Sequence, residues 1–281
     1  MSADSLGPLL FFLFFIALAL LVAAWLWGPP LWRALRRERV RRQAFPAAWR
    51  EILRRRMPAF ARLPADVQLQ LKQHIQVLIA EKPFIGCAGL EVTDEHRVLI
   101  SAQAALLLLN RRAGYFPLLR QVLVYPGAFV VNRSRADGHG LMHETRHALA
   151  GESWQQGQVL LSWADVVAGA ADPQDGHNVV VHEFAHQLDQ ERGGANGAPW
   201  LGRRGAYARW AQVMAAEFQA LQQRLAQGLP GVIDAYGATD PAEFFAVSSE
   251  HFFEQPALLA AAHPALYGQL QACYCCDPLS W

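Results

Sequence analysis

GHNVVVHEFAHQLDQE, residues 176–191, is the stretch on which the reading of this chain turns. Val181, Phe184, Ala185 and Leu188 fall on one side of a helix that Asn178 is placed to cap. Residues four apart on a helix stand one above the other, so His182 and His186 can reach a single ion. Glu183 points a little way round the cylinder and can take a proton from water at that ion without binding it. Asp189, on the same face as His186, is expected to orient an imidazole.

HETRH at 143–147 fits the same pattern. It follows Gly138 and Gly140 in the polar run Asn132–Glu144, which reads as a loop. Its middle positions are Thr145 and Arg146, and a guanidinium beside a metal would repel the cation. The expectation is a surface turn with solvated histidines, leaving HEFAH as the metal site.

A catalytic zinc takes three protein ligands and leaves a fourth position to water. Downstream, IDAYGATDPAEFFAVSSEHFF (233–253) reads as a helix beginning at Pro241, capped by Asp240 or Thr239. Glu243 and Glu250 lie seven apart on it, hence on one face, amid Phe244, Phe245, Val247, Phe252 and Phe253. A carboxylate in so apolar a helix needs a partner, and a metal ion would be one. Spacing alone leaves both glutamates open.

The chain has 281 residues, 53% of them hydrophobic, which is enough for a sizeable core, and a formal charge of +1. That balance offers no global field for nucleic acid. Four cysteines, three of them in CYCC at 273–276, are too few and too clustered for a disulfide framework.

LLFFLFFIALALLVAAWLW, residues 9–27, carries no charge and would span roughly 28 Å as a helix, the thickness of a bilayer core. Six arginines between Arg33 and Arg42 follow, while the N-terminal side has only Asp4 and the α-amino group. By the positive-inside rule the C-terminal body lies in the cytoplasm. A cleaved signal peptide would need a basic start, which MSADSLGP lacks. The expected division is therefore a tail (1–8), a membrane anchor (9–27), a basic juxtamembrane linker (28–45) and one domain (46–281).

Within that domain, helices are expected at 64–81, 101–110, 178–190, 205–227 and 241–254. Strands are expected at HRVLI (96–100), QVLVY (121–125), AFVV (128–131) and QVLLSW (158–163).

Several separated stretches resemble the Mlc titration factor A family of zinc peptidases, whose catalytic core is similar to that of anthrax lethal factor. They are VTDEHRVLISAQAALLLL, LVYPGAFVV, GESWQQGQVLLSW, the 176–191 segment, ANGAP, the 233–253 segment and the closing Asp277-Pro278. The resemblance implies an α+β, zincin-like metallopeptidase domain: a mixed sheet with an HExxH helix and a downstream glutamate helix, preceded here by one transmembrane helix. It implies one zinc ion per chain, held by His182, His186 and Glu243 rather than Glu250. Tyr236, seven residues before Glu243, would face the site.

Glu183 would then act as general base and Tyr236 as a donor to the oxyanion. The VLLSW run would offer a sheet edge to an extended peptide. The resemblance further implies an aminopeptidase-like preference for small substrates. It also raises an alternative: a binding protein that sequesters an Mlc-like transcriptional repressor, with no direct contact to nucleic acid. The anchor and CYCC depart from the family pattern, and CYCC is expected to be reduced thiols in an apolar segment.

Overall fold

The chain divides into two compact units, Met1–Ala44 and Phe45–Trp281. The computed structural model describes residues 6–111, 114–136, 142–149, 151–154 and 157–281, with the side chains of 6–10, 129–136, 142–149, 151–154 and 192 excepted. The first unit is a helix, α1 (Leu6–Arg41). Phe14, Leu21 and Trp25 stand exposed on it, and among the described residues it is the one helix long and apolar enough to cross a membrane. The expected linker after Trp27 is helical as far as Arg41, running through Pro29 and Pro30. Two prolines remove two donors from the helical ladder. The following LWRALRRERVR consists mostly of strong helix formers, and Glu38 pairs with Arg41 and Arg42 a turn later.

The second unit begins with α2 (Ala47–Arg56), α3 (Ala65–Glu81), β1 (Phe84–Gly86), α4 (Asp94–Leu106) and β2 (Gln121–Tyr125). A hairpin, β3 (Phe129–Ala136) and β4 (Met142–Leu149), leads to β5 (Gly151–Trp154) and β6 (Gln158–Ser162). Helices α5 (Trp163–Ala171), α6 (Val179–Asp189), α7 (Ala206–Ala226), α8 (Pro241–Glu254), α9 (Pro256–Ala262) and α10 (Pro264–Tyr274) complete it.

Four strands form a mixed sheet in the order β1-β2-β6-β5, with β1, β2 and β6 parallel and β5 antiparallel to β6. Val122 pairs with Val159 and Val124 with Leu161, all four fully buried. Strand β6 is buried along Val159–Ser162, as an interior strand covered on both faces must be. It is therefore not the edge expected of VLLSW, and α5 separates it from α6.

HRVLI is not a strand but the first half of α4. Thr93 caps that helix: its backbone N–H donates to His96 Nδ1 at 3.1 Å, and the side chain of Thr93 receives the backbone N–H of the His96 position. Because α4 is buried almost all round, its apolar residues lose the 3.6 period, and Val98 and Ile100 imitate the alternation of a strand. The expected loop at 132–144 is also corrected. Residues 132–136 and 142–144 belong to the hairpin arms, and 137–141 lie outside the described residues. HETRH is thus strand rather than turn, and its side chains are among those not described. A strand sets positions four apart about 13 Å along its length, so a helical chelate cannot form there.

Thr93→Ala should lower stability by about 1 kcal/mol. The measurement is a reduced urea midpoint at unchanged slope; an unmoved midpoint would show that the cap contributes nothing.

Candidate metal centre

Helix α6 starts where the sequence places it, with Asn178 Oδ1 accepting the Val181 N–H at 3.0 Å. Asn178 is itself held by α8: its backbone N–H donates to Glu250 Oε2 at 2.6 Å, and its Nδ2 donates to Glu254 Oε1 at 2.9 Å. At the other end, Asp240 caps α8 by accepting the N–H groups of Ala242 and Glu243, with Pro241 at the first helical position. Both helices are therefore fixed at the ends that carry the chemistry.

Between them three donor atoms converge. Glu243 Oε2 lies 3.0 Å from His182 Nε2 and 3.3 Å from His186 Nε2, and the two imidazole nitrogens are 3.2 Å apart. Among the described residues this is the one His/Cys/Asp/Glu group that could close on a metal. Glu250 Oε1 sits 2.8 Å from His182 Nδ1. A carboxylate only accepts, so Nδ1 carries the hydrogen there; towards Glu243, Nε2 carries a proton in the metal-free site, and a metal ion would take that proton's place.

Three acceptor atoms facing one another need a cation between them. A proton can serve one pair, whereas a metal ion serves all three. Tetrahedral zinc with bonds near 2.0–2.1 Å sets its ligands about 3.3 Å apart, close to the separations found here. The donor set fits zinc.

The electrostatics point the same way. Burial disfavours the charged His182, yet hydrogen bonds with Glu243 and Glu250 and the charge of Glu183 raise its pKa well above the usual value. Burial likewise opposes ionisation of Glu243, but the bonds to His182 and His186 hold that carboxyl well below the usual range. Glu183 is buried at 4% exposure beside His182. Tyr236 stands on a short 3₁₀ turn (Ala235–Ala238), 48% exposed, its ring 5.9 Å from that of His182. The structure thus brings together His182, Glu183, His186, Tyr236 and Glu243.

Asp189 does not do what its spacing suggests. Its carboxylate accepts the backbone N–H groups of Asn196, Gly197 and Ala198 at 2.7–2.8 Å, so it ties down the ANGAP loop. Gly197, at φ +76°, lies against Pro241, where a Cβ would meet the carbonyl oxygen at 2.3 Å. That loop therefore braces the start of α8, two residues before Glu243. The imidazole is oriented instead by Glu250, whose position seven residues after Glu243 already put it on the right face.

CYCC forms the end of α10, with all four cysteines of the chain free. Burial pushes the Cys273 thiol up to about 11, which makes it a poor nucleophile or ligand at neutral pH.

A pair of histidines on one helix, closed by a carboxylate from a second, is a group that could hold a metal ion. The chain belongs to the glucose-regulated metallo-peptidase M90 family, whose profile matches residues 32–275. An uncharacterized protein of Synechocystis is 42% identical over 259 residues, covering 92% of this chain and 94% of that one. Mlc titration factor A of Klebsiella pneumoniae is 37% identical, covering 80% of this chain and 84% of its own. The protein of that name from Yersinia pestis is 35% identical, covering 83% and 86%. The resemblance to the Mlc titration factor A family is thereby established.

Two outcomes follow from these contacts. Glu250→Gln should weaken metal binding by about 10- to 100-fold in a chelator competition, through loss of the carboxylate behind His182; unchanged affinity would remove Glu250 from the site. The second concerns pH. Burial, with the nearby charges of Asp175 and Glu250, pushes Glu254 up to about 8 despite its bond to Asn178. Both Glu254 and metal-free His182 are raised in the folded state. Their stabilisation is complete below the unfolded values and is lost as pH rises through the folded ones. Chelator-treated protein should lose stability from pH 5 to 9, and Glu254→Gln should flatten that loss. Thermal midpoints that rise across the window would contradict the assignment.

Proposed function

We propose that this protein is a membrane-anchored, zinc-dependent peptidase that hydrolyses peptide bonds with Glu183 as general base. The observation that carries the reading is the convergence of His182 Nε2, His186 Nε2 and Glu243 Oε2 at 3.0–3.3 Å, beside a buried Glu183. Membership of a metallopeptidase family supports it independently. When bound there, zinc would supply Lewis acidity towards the scissile carbonyl and the attacking water.

The other steps belong to side chains of this chain. Glu183 accepts the proton of the attacking water and passes it to the leaving amine nitrogen. Tyr236 donates its phenolic hydrogen to the oxyanion that develops on the carbonyl oxygen. Glu250 keeps His182 in the tautomer that presents Nε2. Since β6 lies inside the sheet, an extended substrate would have to pair along β5, the strand at that edge. An aminopeptidase-like preference for small substrates is part of the proposal and rests on the family alone.

In the same reading, α1 anchors the chain through residues 9–27. The arginines after it place residues 46–281, the zincin-like domain, in the cytoplasm.

A second reading has its own support, because relatives at 35–37% identity bear the name Mlc titration factor A. A chain anchored by α1 could hold an Mlc-like repressor at the membrane, away from DNA. The two readings separate on one variant. Glu183→Gln should retain one zinc per chain and lose peptide cleavage by at least about a hundredfold. Cleavage at the wild-type rate would remove this site from the chemistry, and unaltered repressor binding by the inactive variant would favour titration.

A further inference from the structure

Tyr236 is half-exposed, so packing around its ring cannot alone decide where the phenol points. Its backbone is held more firmly. Asp234 Oδ1 accepts the Tyr236 N–H at 2.8 Å and starts the 3₁₀ turn. A Cβ at Gly237 in that turn would come into van der Waals contact with Val247 on α8 and Leu221 on α7, so the turn packs closely on both helices. One contact joins the beginning of the turn to α8: the Asp234 N–H donates to His251 Nε2 at 3.2 Å.

His251 is only 3% exposed and is fixed on three sides. Its Nδ1 faces Gln255 Oε1 at 3.0 Å, and Gln255 Nε2 donates to Gln174 O at 2.7 Å. An amide oxygen only accepts, so Nδ1 bears the hydrogen and Nε2 keeps the lone pair that Asp234 uses. Gly176, at φ +83°, lies so close that a Cβ would sit 2.7 Å from His251 Cε1. The ring is thus pinned between the loop leading to α6 and the turn carrying Tyr236.

We infer that His251 is a positioning residue for the hydrolysis proposed above: its Nε2 bond to Asp234 aims the Tyr236 phenol at the metal centre. The inference deepens that reading and depends on Tyr236 serving the oxyanion. One helix then sets both the third metal ligand, Glu243, and the placement of the oxyanion donor. His251 touches neither substrate nor metal, so its loss should act on kcat through Tyr236 and leave KM and zinc content alone.

The test uses the full-length, zinc-loaded protein with His251→Leu, which lacks the acceptor, and His251→Gln, whose Oε1 can replace Nε2. Tyr236→Phe and the Tyr236→Phe/His251→Leu double variant complete a cycle. A 3-fluorotyrosine placed at position 236 reports on the ring by ¹⁹F NMR, with and without zinc. His251→Leu should lower kcat by about tenfold and shift or broaden the ¹⁹F signal, and Gln should restore both. Tyr236→Phe should lower kcat by about a hundredfold, with the double variant no slower. Losses that multiply in the double variant, or a ¹⁹F signal unmoved by His251→Leu, would overturn the inference. Tyr236→Phe with full kcat would instead sink the oxyanion role itself, a failure of the earlier reading that the ¹⁹F signal separates from the hydrogen bond.

Discussion

Everything at the centre of this protein depends on the packing of α8 against α6. Glu243, Glu250 and Glu254 follow one another at spacings of seven and four along one face of α8, all turned towards the helix that bears the histidines. Three carboxyl groups lined up in an apolar setting repel one another and lose their hydration. Each is offset differently. Glu254 takes the Asn178 amide and a raised pKa, Glu250 takes the Asn178 N–H and His182, and Glu243 takes the Nε2 atoms of the two imidazoles. The last brings three potential ligand atoms within 3.3 Å of one another, and that convergence marks where a divalent cation would fit.

The surrounding structure holds this face in place. Asp189 and Gly197 brace the first turn of α8, and Trp210 on α7 donates to Gly197 O at 2.8 Å. Tyr274 at the end of α10 meets Ser249 at 2.7 Å from the far side of α8. Phe245 and Phe252 fill the same layer, both fully buried. A metal site assembled from two helices distant in sequence needs such support, because a displacement of an ångström would spoil the tetrahedral separations.

Much of the site was legible in the sequence because its signals are local. The HEFAH spacing, the Asn178 and Asp240 caps and the apolar periodicity of α6 and α8 each operate within a few residues, where helical geometry is rigid. Glu243 could not be told from Glu250 by spacing, since both lie on one face. The family resemblance favoured Glu243, and the structure separates the two by which side of His182 each meets. The errors arose where tertiary context decides. HRVLI is helical, but its period was hidden because α4 is buried almost all round. The HETRH segment is strand because it has β3 as a partner. VLLSW is interior because β5 folds back onto it. Asp189 lies on the right face to orient a histidine, but three backbone N–H groups of the next loop claim its carboxylate. No pattern within a helix can announce a loop that returns to it.

The most direct measurement is zinc-edge anomalous diffraction from crystals of the purified protein. The account predicts one peak per chain, about 2.0–2.1 Å from His182 Nε2, His186 Nε2 and a Glu243 carboxylate oxygen, with Glu250 on the opposite side of the His182 ring. A peak bound by Glu250 in place of Glu243, or one seated at His143 and His147, would contradict it.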